Sequence, residues 1–320
     1  MGEKNYVIRV RGFLLLFFQI SIVLGSFIYI FWDIQFEGIL ASLNRWNPLG
    51  LVLAFGIMFV DICLMIFRLY TLFLKKITVR TAIYGVIFCL GYNNILPAKA
   101  GDIIKTVFIH KENLLPFSFV IPIIVWERIF DSVILFLLLL ISFSNIALGG
   151  ILFLFFFVVV FFFILRRYAQ FFYQLYERIP IIRLAYFLHE LHENGIEKVT
   201  LSWLFSNLFL TIAIWGSYFG CFWVSMHYMA GLDLTLFQMI LVFVVTCTGA
   251  ALPSTPGSLG VFEAGMVLSL SLYGIERDVA LPVALFIHFL YFLPITLGAL
   301  FLSLLEFSRK KNWVVNKFYN

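Results

Sequence analysis

At 320 residues, with 63% hydrophobic and only 12% charged side chains, the chain lacks the polar surface of a water-soluble domain, which carries about 25% charged residues. The apolar runs are continuous where a membrane barrel would alternate, so lipid is the solvent and helices are the spanning element. The net charge of +5 reads as anchoring near anionic lipid and not as a nucleic-acid surface, and four cysteines without a CxxC pair point away from disulfides and metal.

Lys4, Arg9 and Arg11 precede the first apolar run, Gly12 to Trp32, which has about the length that spans a bilayer. Asp33 follows with no small-residue cleavage site, so an uncleaved first helix is expected. Further full spans are expected at 48–68, 117–143, 147–166, 201–224 and 279–305. Two regions fit less well. In 79–111 the apolar stretch Ala82 to Leu96 stops at Pro97 and a polar turn. In 237–275 the run Phe237 to Leu252 stops at Pro253, and a shorter run ends near Tyr273. Each predicts a half helix, a turn and a returning half helix. Between the two, residues 167–200 mix charges and aromatics at helical spacing, which predicts amphipathic helices at the cytoplasmic interface, broken at Pro180.

Basic residues orient the spans. Clusters lie at the N-terminus, at Arg68, Lys75, Lys76 and Arg80, from Arg166 to Lys198, and from Arg309 to Lys317. All fall on the cytoplasmic side if 79–111 enters and leaves from inside and 237–275 from outside. The expected fold is therefore an all-α polytopic membrane protein of six full transmembrane helices plus two oppositely oriented re-entrant helical hairpins. It forms a single integral membrane domain over 1–320, in the cytoplasmic (inner) membrane, with both termini cytoplasmic. Opposed broken segments mark inverted-repeat transporters. An inverted repeat and eight ordinary spans with proline kinks both fit this pattern.

Three interruptions carry candidate chemistry, because a charge or unwound backbone in hydrocarbon must be satisfied by protein, water or ligand. The first holds Asn93, Asn94, Pro97, Lys99, Gly101, Asp102 and Lys105. Asp102 is placed to cap the returning helix. Lys105 lies in its first turn and is expected nearer the water than Arg128. Free amides and a lysine at a helix N-terminus suit an anion; an ordinary cytoplasmic turn fits the same residues. The second is Glu127, Arg128 and Asp131, inside an apolar run. The two acids share a helix face, and Arg128 reaches it. Headgroup binding, proton coupling and bracing of the Lys105 hairpin are the expected roles; an internal salt-bridge network with no ligand role fits the same residues. The third holds Ser254, Thr255, Pro256, Gly257, Ser258, Gly260 and Glu263, where the hydroxyls can satisfy freed backbone groups and Glu263 can pair with a cation of the first hairpin or accept a proton. Asp61 and His288, each alone in a span, can join the central polar group or be satisfied within the bundle.

These motifs together resemble the lysylphosphatidylglycerol synthase transmembrane-region family of flippase-like membrane proteins. Its Pro-x-x-x-Gly-acid-x-x-base loop is similar to Pro97, Gly101, Asp102 and Lys105. Its Glu-Arg-x-x-Asp motif matches Glu127, Arg128 and Asp131, and its glycine-rich hairpin is similar to Pro256, Gly257, Ser258, Gly260 and Glu263. The family commonly has Glu and Arg where Asp102 and Lys105 stand, and Gly where Ser258 stands. The resemblance implies translocation of a phosphate-bearing lipid, of phospholipid or polyprenyl-phosphate type. It implies no covalent chemistry, no catalytic residue, no cofactor and no metal. Asn94, Lys99, Asp102, Lys105, Glu127, Arg128, Asp131, Ser254, Thr255, Ser258 and Glu263 are the expected substrate contacts. The alternatives are an integral-membrane glycosyl- or aminoacyl-transferase with a lipid-linked substrate, and a non-transporting partner of a lipid-modifying enzyme. No soluble aminoacyl-transferase region follows the last span, which disfavours a synthase role for this chain alone. Membrane lipid is the expected partner; apolar faces serve lipid and subunits alike, so composition leaves the oligomeric state open.

Overall fold

Helices satisfy every backbone polar group without water, and the computed structural model holds helices and no strand among its described residues. Those residues are 36–44, 46–96, 99–142, 167–179, 181–197, 199–251 and 256–319, with Ile28 and Val160 besides. Apart from the latter two, the expected spans 12–32 and 147–166 lie outside them, as do Pro97, Pro180, Ser254 and Thr255.

The helices in chain order are α1 (Phe36–Leu43), α2 (Pro48–Leu72), α3 (Val79–Ile95), α4 (Gly101–Asn113) and α5 (Phe117–Ser142). There follow α6 (Ala169–Glu177), α7 (Ile182–His192), α8 (Leu201–Trp223), α9 (Leu236–Ala251), α10 (Val261–Ser271) and α11 (Arg277–Tyr319). Wide π turns extend α7 over Glu193–Glu197 and α8 over Val224–Met229.

Among the described residues, three stretches are long and apolar enough to cross a membrane: Pro48–Leu72, Leu201–Met229 and Arg277–Phe307. With 26 residues, α5 also has the length, but Glu127, Arg128 and Asp131 interrupt its apolar surface. The remaining pairs are shorter. At about 1.5 Å per residue, α3 and α4 (17 and 13 residues) reach about 25 and 20 Å, and α9 and α10 (16 and 11 residues) about 24 and 17 Å. None equals the ~30 Å hydrocarbon core. Leu297, Phe301 and Leu304 leave an apolar stripe of α11 exposed, which is a lipid-facing surface in a chain of this composition.

The chain divides into two compact units. One comprises Ile57–Cys89 and Asp102–Gly220. Within it, α3 begins after Thr78, whose hydroxyl accepts the Thr81 N–H at 3.1 Å as an N-cap. Arg80 meets Glu112 at 2.6 Å, Asn113 donates to the Thr81 hydroxyl at 3.2 Å, and Tyr84 stacks on Phe108. These contacts join the start of α3 to the end of α4, so the two run antiparallel. Helix α5 packs on α7 and on the π turn behind it, where Trp126 Nε1 donates to the Gly195 carbonyl at 2.6 Å. In α6 and α7, His189 stacks on Tyr173, and His192 faces the Tyr176 hydroxyl at 3.2 Å.

The other unit comprises Met1–Gly56, Leu90–Gly101 and Cys221–Asn320. There α9 packs on α10, α10 on α11, and α11 on α1. Gly249 approaches Val261 and Gly265 approaches Thr246, which makes α9 and α10 an antiparallel pair. The end of α3 is tied to α11: Tyr92 meets the Ser303 hydroxyl at 2.8 Å, and Asn94 Nδ2 donates to Thr296 Oγ1 at 2.9 Å and to the Phe292 carbonyl at 3.2 Å.

One expectation is corrected at the start of α4. The Gly101 N–H donates to Asn93 Oδ1 at 2.8 Å, so Asn93 caps the returning helix and Asp102 does not. The turn folds the end of α3 back far enough for its own side chain to reach. Replacing Asn93 by alanine should remove that cap and cost about 1 kcal/mol, read as a lower midpoint in thermal unfolding of the purified protein.

Candidate functional site

An ionic cluster forms on α2, α4 and α5. Lys105 Nζ lies 2.8 Å from Glu127 Oε2 and 3.3 Å from Asp102 Oδ1. Arg68 Nη2 lies 3.3 Å from Glu127 Oε1, and Arg68 Nη1 lies 2.5 Å from Asp131 Oδ1. The same Nη1 donates to the Thr211 hydroxyl of α8 at 3.1 Å, and Trp215 Nε1 donates to Asp131 at 3.4 Å. Arg128 Nη2 donates to Glu127 Oε1 at 3.0 Å. Arg68, Lys105 and Arg128 thus balance Asp102, Glu127 and Asp131. Buried ions persist only when paired and hydrogen-bonded, and Glu127 supplies that condition by meeting all three cations at once.

Burial within the cluster is uneven, and it corrects a second expectation. The Lys105 side chain is 1% exposed, whereas that of Arg128 is 49% exposed. Lys105 lies deeper than Arg128. The approach of Lys105 to Glu127 draws the first turn of α4 against α5, and packing of Gly85, Leu69 and Ile109 seals it. Arg128 stands at the rim. Its Nε and Nη1 come within 3.8 Å of Asp102 and 3.6 Å of Asp131, beyond hydrogen-bond length, so these donors remain available to a newcomer. Asp102 and Asp131 are themselves partly exposed, at 26% and 20%.

Sequence patterning missed Arg68, which is grouped there with Lys75, Lys76 and Arg80 as a cytoplasmic cluster. The structure buries it at 3% exposure. One signal was present: six uncharged residues, Leu69 to Leu74, separate Arg68 from Lys75, so the apolar run continues past it.

A second polar group forms on α10, α11 and the turn before α10. Glu263 Oε2 accepts the Gly260 N–H at 2.8 Å, and Oε1 faces His288 Nδ1 at 2.6 Å. His288 Nε2 faces the Gly257 carbonyl at 2.8 Å. Ser258 donates to the Ala250 carbonyl at 2.9 Å, which closes the turn onto the end of α9. Glu263 therefore pairs with His288, whose partner the sequence left unspecified. Gly257 has φ 64°, and a Cβ there would come within 2.5 Å of the Phe292 ring. Gly257→Ala is expected to cost about 1–3 kcal/mol through left-handed strain and this overlap, measured by thermal unfolding against wild type.

Of the remaining sequence candidates, Lys99 is exposed with φ 53°, and Asn94 braces α11 through Thr296 and Phe292.

Apolar helices long enough to span, with a balanced ionic cluster and an arginine at its edge, define a multi-pass membrane protein with a charged internal site. The chain belongs to the lysylphosphatidylglycerol synthase TM region family, whose sequence profile matches residues 15–299. Comparison with curated proteins and with solved structures gave no match.

Proposed function

We propose that the protein is a flippase-like translocase for a phosphate-bearing lipid, of phospholipid or polyprenyl-phosphate type. It moves the headgroup across the cytoplasmic membrane with no bond made or broken. It is a single membrane domain of six full spans, with α3–α4 and α9–α10 as opposed re-entrant hairpins and both termini cytoplasmic. Support for the hairpins comes from their lengths, each arm falling short of the hydrocarbon core.

The observation that carries the proposal is Arg128. A guanidinium held at half exposure by a buried carboxylate, with donors left over, is built to take a further anion. Its planar fork matches a phosphate in bidentate fashion. The partly exposed oxygens of Asp102 and Asp131 beside it suit an ammonium on the same headgroup. Glu127 holds Arg128 in place, with Lys105 and Arg68 on the same carboxylate. Lys99 supplies a further exposed cation on the chain, and Ser254, Thr255, Ser258 and Glu263 belong to the second hairpin.

The test is reconstitution of the purified protein in liposomes carrying a headgroup-labelled phospholipid or polyprenyl phosphate. Label movement with the lipid recovered chemically unchanged is expected. A new lipid product on adding sugar or aminoacyl donors would assign a transferase instead. Neither activity, with an enzyme retained through purification, would assign a non-transporting partner.

A further inference from the structure

His288 projects from α11 onto the turn between α9 and α10, and both of its ring nitrogens meet oxygen. Nδ1 lies 2.6 Å from Glu263 Oε1, and Nε2 lies 2.8 Å from the Gly257 carbonyl. A carbonyl oxygen only accepts a hydrogen bond, and so does an ionised carboxylate. A neutral imidazole owns one N–H and cannot donate to both. The two contacts therefore need one proton more than a neutral histidine beside an ionised glutamate provides. That proton rests on the ring, giving an imidazolium–carboxylate pair, or on Glu263 Oε1, giving an acid that donates to Nδ1. The count is the same either way.

We infer that Glu263 and His288 form a one-proton binding site whose occupancy closes the α9–α10 hairpin onto α11. Glu263 and His288 are 3% and 8% exposed, so water does not substitute for a lost partner. Release of the proton sets a lone pair of the ring against either the Gly257 carbonyl or the carboxylate, and a buried acceptor without a donor is costly. Glu263 carries the effect onward, because its other oxygen holds the Gly260 N–H at the start of α10. Gly257, the second anchor, lies in the turn itself.

The surroundings leave this pair to govern its own proton. The rings of Phe262, Phe292 and Phe289 flank the imidazole at 4.6, 5.8 and 6.4 Å. Helix α9 has no charged residue, and its titratable group is the buried Cys247. Helix α10 has Glu263 as its one charged residue. On α11 the other charged residues with described side chains are Arg277, Asp278 and Glu306. Each is at least ten residues from His288, about 15 Å or more along the helix. The end of α3 contributes the Tyr92 phenol, bonded to Ser303, and the uncharged Asn93 and Asn94. Within α1, Glu37 is exposed.

The inference stands on the hairpin's own geometry. Joined to the translocase proposal, it makes the proton the coupling ion. The test follows hydrogen–deuterium exchange of residues 256–263 in the full chain in lipid nanodiscs, corrected for intrinsic exchange, between about pH 5 and about pH 9. In wild type, protection should hold at low pH. Above the pH at which the opened hairpin gives up the proton it should fall about tenfold per pH unit, the slope of one-proton linkage, and level off once the closed site also releases it. In Glu263→Gln, the amide oxygen can keep the Gly260 N–H while the amide NH2 donates to a neutral ring, so protection should not fall as pH rises. Flat protection in wild type would overturn the inference, as would a wild-type slope in Glu263→Gln. Should that variant insert poorly, nitrogen-15 histidine and carbon-13 carboxyl NMR of wild type count the protons directly. Two N–H groups on His288, or one beside a protonated Glu263, are expected; one beside an ionised Glu263 overturns the site. No lipid movement is measured, so failure here leaves the translocase proposal standing.

Discussion

Arg128→Ala is expected to slow movement of a phosphate-bearing lipid about tenfold to a hundredfold while leaving membrane insertion and thermal unfolding near wild type. The size follows from the ~1.5–3 kcal/mol that a hydrogen bond to a charged group contributes. Normal folding follows from geometry: Arg128 is 49% exposed, and without it Glu127 retains Lys105 at 2.8 Å and Arg68 at 3.3 Å. Arg128→Lys keeps the charge and loses the fork, so it should restore movement only in part. The check is a liposome flux assay alongside unfolding curves of the same preparations. Wild-type flux in Arg128→Ala would remove this residue from the headgroup path.

Glu127→Ala should act in the opposite sense, on the fold. All three cations meet this carboxylate, and Lys105 and Arg68 are almost wholly buried. Breaking a buried ion pair by removing one partner costs about 3–5 kcal/mol, because the charge left behind has neither water nor a counterion. Asp102 and Asp131 remain to Lys105 and Arg68, so a cost near the lower end of that range is expected. Thermal unfolding and protease resistance of the purified variant measure it. The double variant Lys105→Met with Glu127→Gln removes both charges together and should be more stable than the sum of the single effects predicts, by about 1–3 kcal/mol of coupling. Additive behaviour would mean that the pair at 2.8 Å does not organise the cluster.

Much of the fold was legible because hydrocarbon imposes a simple rule on sequence. The runs at 48–68, 201–224 and 279–305 became helices long enough to span, with the last extending well beyond residue 305. Pro97 and Pro253 marked two interruptions that do separate α3 from α4 and α9 from α10. Glu127, Arg128 and Asp131 announced themselves as three charges within one apolar helix, and the shared face of the two acids follows from their spacing. What escaped depended on contacts distant in sequence. Arg68 is 59 residues from Glu127, and the positive-inside bias gave it an adequate reason to lie elsewhere. His288 is 25 residues from Glu263, and a lone histidine in a span carries no mark of its partner. Asn93 and Asp102 are both good capping residues; only the fold of the turn decides that Asn93 does it. The burial of Lys105 was similarly hidden, since it is set by α2, α3 and α5 and not by its place in the first turn of α4.

The most direct measurement compares two lipids with the same tails, one with a phosphate headgroup and one with an uncharged headgroup, in liposomes containing the wild-type protein. Faster transfer of the phosphate lipid between leaflets, with both lipids recovered intact by mass spectrometry, is the outcome the account predicts. Equal transfer of the two, no transfer of either, or conversion of the phosphate lipid to a new species would contradict it.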